Sequence, residues 1–169
     1  VQAAAVLNAP QWWAERYQLL NSDGVSCPSH FAKGWLGKHV SIEDRKLPVI
    51  PNGINPAEFA PYRLTRSNAQ EERKLICFVG RCSVPKGASV LARAVPEILD
   101  HDPDVDVLFA GPMVDEAIAI QLTTLAKRYP GRVQIPGRLP REKLLPALAR
   151  ATLLVHPTFY EISPMAVLE

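Results

Sequence analysis

Leu75-Ile76-Cys77-Phe78-Val79-Gly80-Arg81-Cys82-Ser83-Val84-Pro85-Lys86-Gly87 is the stretch on which the fold turns. A short apolar run stopping at a glycine predicts a strand over Leu75 to Val79. Beyond the loop to Gly87, Val90, Leu91, Ala94, Val95 and Ile98 recur at helical spacing. The same unit then repeats. Val105 to Ala110 predicts a second strand; Ile118, Leu122, Leu125 and Tyr129 predict a helix closed by Pro130-Gly131; Val133 to Ile135 predicts a short third strand. Leu144, Leu145 and Leu148 line a helix begun near Pro140, and Thr152 to Val155 predicts a fourth strand leading to His156-Pro157. Alternation of this kind predicts an α/β fold built on a doubly wound parallel sheet. Ser163-Pro164 then reads as the cap and first residue of another helix, with Glu169 about two turns along it.

Upstream the pattern differs. Ala9-Pro10 opens a helical pattern through Trp13, Arg16, Tyr17 and Leu20, and Val25 to Cys27 and Leu47 to Ile50 predict short strands on either side of a polar gap. One of Trp12 and Trp13 is expected to pack inward, and Lys33, Lys38, Arg45 and Lys46 to form a solvated face. Pro51 to Pro56, with the turn dipeptide Asn52-Gly53, and the polar run from Tyr62 to Lys74 mark a domain boundary. Residues 1–52 are then the tail of a neighbouring α/β domain, because about 50 residues cannot bury a core alone, and residues 53–169 form a second domain. The last helix has only Met165 to Glu169 and the sequence starts at Val1 without an initiator Met, so a piece of a longer protein is expected; no basic region leading into an apolar segment announces export.

Composition narrows the function classes. Of 169 residues, 47% are hydrophobic and 21% charged, with 19 Lys and Arg against 17 Asp and Glu, a balance without the charge blocks of a nucleic-acid arm or a disordered tail. No apolar run approaches the roughly 20 residues of a membrane helix. Cys27, Cys77 and Cys82 form no CxxC pair, which favours a reducing, cytoplasmic setting. His30, His39, His101 and His156 lack metal-ligand spacing, so no metal is expected and His156 reads as a structural histidine at a strand end. No Ser-His or Cys-His arrangement suggests an enzyme nucleophile.

Two loops carry the chemistry. Gly80 to Gly87 joins the carboxyl end of a strand to a helix N-terminus, the edge where open parallel sheets bind ligands, and there Arg81 and Lys86 can clamp a phosphate or diphosphate. The loop fits neither GxGxxG nor the P-loop, and its residues alone fit a solvated basic loop equally well. His156 to Glu169 follows the last strand and should face the same crevice. Glu161 there is either ligand-facing or helix-stabilising, and Glu169 is a candidate of the same kind or an exposed helix charge.

Pro48-Val49-Ile50-Pro51-Asn52-Gly53-Ile54 with Phe59, Phe78-Val79-Gly80-Arg81 with Lys86-Gly87, Phe109-Ala110-Gly111, Gly137-Arg138-Leu139-Pro140, and Pro157-Thr158-Phe159-Tyr160-Glu161 through Leu168-Glu169 together resemble glycosyltransferase family 4. The resemblance implies a GT-B fold, two Rossmann-like domains across a cleft, of which this chain matches the end of the acceptor-side domain and most of the donor-binding one. It implies transfer of a sugar from a nucleoside-diphosphate sugar to an acceptor hydroxyl with retention of configuration and no tightly bound cofactor. The acceptor is a sugar, a lipid-linked or a small molecule; nucleic acid is not expected, and contact with the inner face of a membrane is compatible. By position, Arg81 and Lys86 match the diphosphate pair and Glu161 and Glu169 the two acids of the Glu, seven residues, Glu motif, on the sugar hydroxyls and the ribose; Arg138 falls beside the nucleobase. The intact set argues against decay to a non-catalytic sugar-nucleotide module, whereas an epimerase or phosphorylase of the same architecture would show itself by products without transfer to an acceptor; lacking most of the acceptor-side domain, this chain alone is not expected to turn over. Ile162-Ser163-Pro164 replaces the Gly-Phe-Gly common in the family, adding a side chain and removing an N–H where backbone amides approach the sugar.

Overall fold

The computed structural model describes residues 9–62 and 73–169, so most of the polar run from Tyr62 to Lys74 lies outside the described residues. The chain divides into two units, residues 1–53 with 162–164 and residues 54–161 with 165–169.

In the first unit, helix α1 spans Ala9–Leu20 and α2 spans His30–Val40. The interval read as a polar gap is therefore largely helical. Gly34 and Gly37 weaken its propensity, but Ser29 caps it, its hydroxyl accepting from Ala32 N–H at 3.2 Å. The two strands expected here reduce to one parallel bridge, Cys27 to Val49, because Pro48 has no N–H to donate to the Val25 carbonyl and extend the ladder. Cys27, Ala32, Val40, Ile42 and Leu47 form a small core. Trp12 packs inward, edge-on to Trp35 with ring centroids 5.8 Å apart, while Trp13 is 64% exposed. Lys33 leaves the expected solvated face: its ammonium lies 2.9 Å from Asp44.

The second unit opens with the single turn α3, Pro56–Phe59, capped by the Asn55 side chain. After β1 (Lys74–Val79) come α4 (Ala88–His101), β2 (Val105–Ala110), α5 (Glu116–Arg128), β3 (Val133–Gly137), α6 (Arg141–Arg150), β4 (Leu153–Leu154) and α7 (Met165–Leu168). The four strands form a parallel sheet in the order β3-β2-β1-β4. Side chains alternate across it. Phe78, Val105, Val107 and Phe109 meet Leu91, Val95, Leu99, Ile118, Leu122 and Leu125 on one face, whereas Leu75, Cys77, Leu108 and Ala110 meet Leu144, Ala147 and Leu148 on the other. Every residue of β2 is buried, Asp106 included, whose carboxylate accepts from the Arg73 guanidinium at 2.8 to 3.1 Å. At the amino end of the sheet, Arg132 donates to the carbonyls of Leu99, Asp102 and Val105 at 2.7 to 3.1 Å.

Two helical details depart from the periodicity. The buried face of α4 is Ala88, Leu91, Ala92, Val95 and Leu99, with Ala94 exposed, so the helix is turned slightly from the expected stripe. Also, α7 is one turn long, and Glu169 directly follows it, its N–H bonded to Met165 O at 3.0 Å.

Candidate functional site

Chain direction and strand order locate the site. From β1 the chain winds outward through β2 to β3, then returns to place β4 on the other side of β1. The loops leaving β1 and β4 therefore diverge at a topological switch point, and a crevice opens between them at the carboxyl edge.

Backbone contacts fix both loops. Gly87 has φ +73, and a Cβ there would stand 1.9 Å from Pro157 O. Phe159 N–H and the Thr158 hydroxyl both donate to Pro85 O at 3.0 Å. The neighbouring loops are stitched similarly: Gly80 N–H donates to Ala110 O, Cys82 N–H to Pro112 O and Gly111 N–H to Gly137 O at 2.9 to 3.0 Å. A Cβ on Gly111 would stand 1.8 Å from Gly80 O, which is why this position takes glycine.

On this scaffold Lys86 and Glu161 meet across the switch point, the ammonium donating to Oε2 in a half-buried ion pair. The two residues expected to face a ligand thus face each other. His156 brings Nε2 to 3.4 Å from the same oxygen, outside hydrogen-bond geometry; both its ring nitrogens are buried and have no hydrogen-bond partner among the described residues.

Along the segments that follow β1, β2 and β3, Arg81, Arg138 and Arg141 line an open cavity of about 370 Å³ with Gly80, Gly111 and Leu139. Arg81 and Arg138 are exposed. Arg141 is engaged: its Nε donates to Glu58 and its Nη1 to Glu169, both at 2.8 Å, and its guanidinium carbon lies 5.5 Å from the centroid of the Phe59 ring, over its face. The hydrogen bond to Glu169, then that to Glu58, raise the Arg141 pKa further. Glu169 is only 14% exposed at its side chain, so it is a held carboxylate rather than a free helix charge. Among the described residues no cluster of His, Cys, Asp and Glu could hold a metal ion, and no helix is long and apolar enough to cross a membrane.

The arrangement brings Lys86 and Glu161 together, places Arg81 and Arg138 around one cavity, and ties Glu169 to that cavity through Arg141. Sequence reasoning missed Arg141, although a signal was there: an arginine in the first turn of a helix opposes the dipole and implies an anionic partner. His156, read as a structural histidine at a strand end, lies against Glu161 through a contact that depends on tertiary structure.

The family model for glycosyl transferases group 1 matches residues 73–169, and that for glycosyltransferase family 4 matches residues 3–58. The chain belongs to the group 1 glycosyl transferases. The phosphatidylinositol N-acetylglucosaminyltransferase GPI3 subunit of Saccharomyces cerevisiae is 27% identical to this group 1 chain over 148 residues, covering 86% of it and 32% of that protein. The chain thus spans about a third of the length of the curated relatives of this name that it matches. Sucrose-phosphate synthase from Thermosynechococcus elongatus superposes with a TM-score of 0.76 at 24% identity, over 96% of this chain and 41% of that one. Anabaena HepE, solved in complex with UDP and glucose, gives 0.68 at 16% identity over 94% and 44%. These structural likenesses are of fold, and they make this group 1 chain α/β with GT-B neighbours.

Proposed function

We propose that the second unit is the donor-binding half of a glycosyltransferase that moves a sugar from a nucleoside-diphosphate sugar to an acceptor hydroxyl with retention of anomeric configuration. The observation carrying this reading is the gathering of Arg81, Arg138 and Arg141 around one cavity at the carboxyl edge of the sheet, the edge at which Lys86 and Glu161 also meet. Cleaving the bond between the anomeric carbon and the diphosphate leaves negative charge on the leaving group and positive character on the sugar ring. Fixed cations at the leaving group are therefore the main source of rate. Arg81 and Lys86 take that role, Glu161 the sugar hydroxyls, Glu169 the ribose, and Arg138 the flank of the base. The acceptor oxygen attacks from the face the diphosphate leaves, and a diphosphate oxygen takes its proton, so the carbon–oxygen bond made replaces the one broken.

Residues 1–52 belong, on this reading, to the acceptor-side domain, whose wall completes the cleft. The acceptor is a sugar, a lipid-linked or a small molecule, and a lipid-linked one puts the enzyme at the inner face of a membrane. That a relative bears the name phosphatidylinositol N-acetylglucosaminyltransferase favours the lipid-linked case. Group 1 membership, and the UDP and glucose in HepE, support a nucleotide-sugar donor.

Thermal unfolding against UDP-, GDP- and ADP-sugars tests the reading. A donor at about 100 times its dissociation constant should stabilise by roughly 2.7 kcal/mol, and Lys86→Ala should abolish the shift. The complete enzyme should then give product with the donor's anomeric configuration in its proton spectrum. Binding without transfer would make the protein a sugar-nucleotide module.

A further inference from the structure

Arg141 is held on more sides than an arginine at the surface needs to be. Its Nε donates to Oε2 of Glu58 and its Nη1 to Oε1 of Glu169, so two nitrogens of one guanidinium meet two different carboxylates. The ring of Phe59 covers its face. Glu58 and Phe59 are adjacent in α3, a single turn fixed by Pro56 at its start and by Asn55, whose side chain accepts from Ala57 N–H at 3.2 Å and whose carbonyl accepts from Glu58 N–H at 3.1 Å. One preorganised turn therefore offers a carboxylate and an aromatic face to the same cation.

Stability does not explain this seat. Glu58 and Arg141 are both nearly half exposed, and an ion pair in that setting adds little to the fold. Its place points to orientation instead. Arg141 lines the arginine cavity, and Glu169 beyond it is largely withdrawn from water. An arginine and a carboxylate left to themselves readily pair fork to fork, two N–H groups on two oxygens. Here a single bond joins them, Nη1 to Oε1, and neither Oε2 of Glu169 nor Nη2 of Arg141 has a hydrogen bond with any described residue. Closing the fork requires the guanidinium to turn, which would break the bond at Nε and lift it from Phe59.

We propose that Glu58 is a positioning residue: with Phe59 it holds Arg141 to a single bond with Glu169, which keeps one oxygen of Glu169 and the Nη2 of Arg141 open to the ribose hydroxyls of the donor. An acceptor beside a donor suits two neighbouring hydroxyls, one giving its hydrogen and the other receiving one. The ligand in this statement rests on the donor reading; the hold on Arg141 does not. Charge alone predicts the opposite effect of Glu58, because an acid beside a cavity that takes a diphosphate repels it, and its removal should then tighten binding.

Titration with UDP, GDP or ADP, whichever binds the unsubstituted chain, separates the two. Glu58→Ala should weaken that nucleotide about tenfold although it removes a negative charge, whereas Glu58→Gln, which keeps an acceptor for Nε, should stay within about threefold. In an Arg141→Ala background Glu58→Ala should weaken it no further, because Glu58 acts through Arg141. The same nucleotide without its ribose hydroxyls should bind the unsubstituted chain and Glu58→Ala alike. A crystal structure of the Glu58→Ala chain reads the hold without any donor, and both oxygens of Glu169 should there be bonded to Arg141. Equal or tighter binding by Glu58→Ala overturns the proposal, as does the same loss when Arg141 is absent, or a Glu58→Ala structure in which the single bond persists. If the fork closes in that structure and no nucleotide binds the unsubstituted chain, the hold on Arg141 stands and the donor reading alone falls.

Discussion

Arg81 lies exposed in the cavity and has no hydrogen bond or ion pair with any described residue. Its removal therefore costs the fold little. On the proposed chemistry, Arg81→Ala in the complete enzyme should lower turnover about 10²- to 10³-fold, the range for losing one transition-state donor, with the melting temperature unchanged. A loss below about threefold in a steady-state assay would take Arg81 out of the clamp. Gly87 is constrained in the opposite sense, by shape alone. Its positive φ and the Pro157 carbonyl 1.9 Å from any Cβ should make Gly87→Ala destabilising by more than about 1 kcal/mol, read as a fall of several degrees in melting temperature. Gly53→Ala, with nothing within 4 Å, is the matched control and should not lower it. Arg81, Lys86 and Gly87 stand out in the sequence because a strand, a glycine and a helix entry frame them. The Pro157 carbonyl does not, since it arrives from a strand far along the chain.

Among the elements, β1 carries a chemical marker of its own burial. Burial pushes the Cys77 thiol up to about 11, and Cys82, just beyond the strand, up to about 11, from an ordinary value of 9.0. Both are then protonated and inert at neutral pH. A thiol reagent at pH 8 should label neither until denaturant is added, and early labelling would show β1 fraying. The folded state holds these protons more tightly than the unfolded chain, so stability is intact below about pH 9 and declines as pH rises towards 11. Denaturant midpoints across that window should fall. The strands and helices of the second unit were legible because their apolar runs alternate between two faces or recur at helical spacing, as Ile118, Leu122 and Leu125 do. The helix His30–Val40 was not, because Gly34, Gly37 and four polar side chains among its residues blur the stripe that Ala32 and Val40 bury.

Across the second unit, Arg141 joins three elements: its own helix α6, Glu58 of α3 and Glu169 beyond α7. Such pairs link positions 83 and 28 residues apart, so no local pattern announces them. The carboxyl-edge site was legible in outline, since every candidate follows a strand, but not the partners its residues choose. Because Arg141 both lines the cavity and holds Glu169, Arg141→Ala should raise the donor KM about tenfold with kcat within about threefold, the pattern of lost ground-state binding. Arg141→Lys should recover little, since a single ammonium cannot reproduce the two-armed contact. Equal falls in kcat and kcat/KM would instead place Arg141 on the leaving group. The seating of β4 against β1 sets an order of events as well as a geometry. Leu75 N–H bonds the Thr152 side chain, 77 residues later, so β4 closes the longest loop of the sheet. During synthesis β1, β2 and β3 can pair first, and the crevice comes into being only when the last strand emerges. A nascent chain halted before β4 therefore holds the sheet and the segments that line the arginine cavity, and the Lys86–Glu161 pair and the Arg141–Glu169 contact form only as the final event of folding.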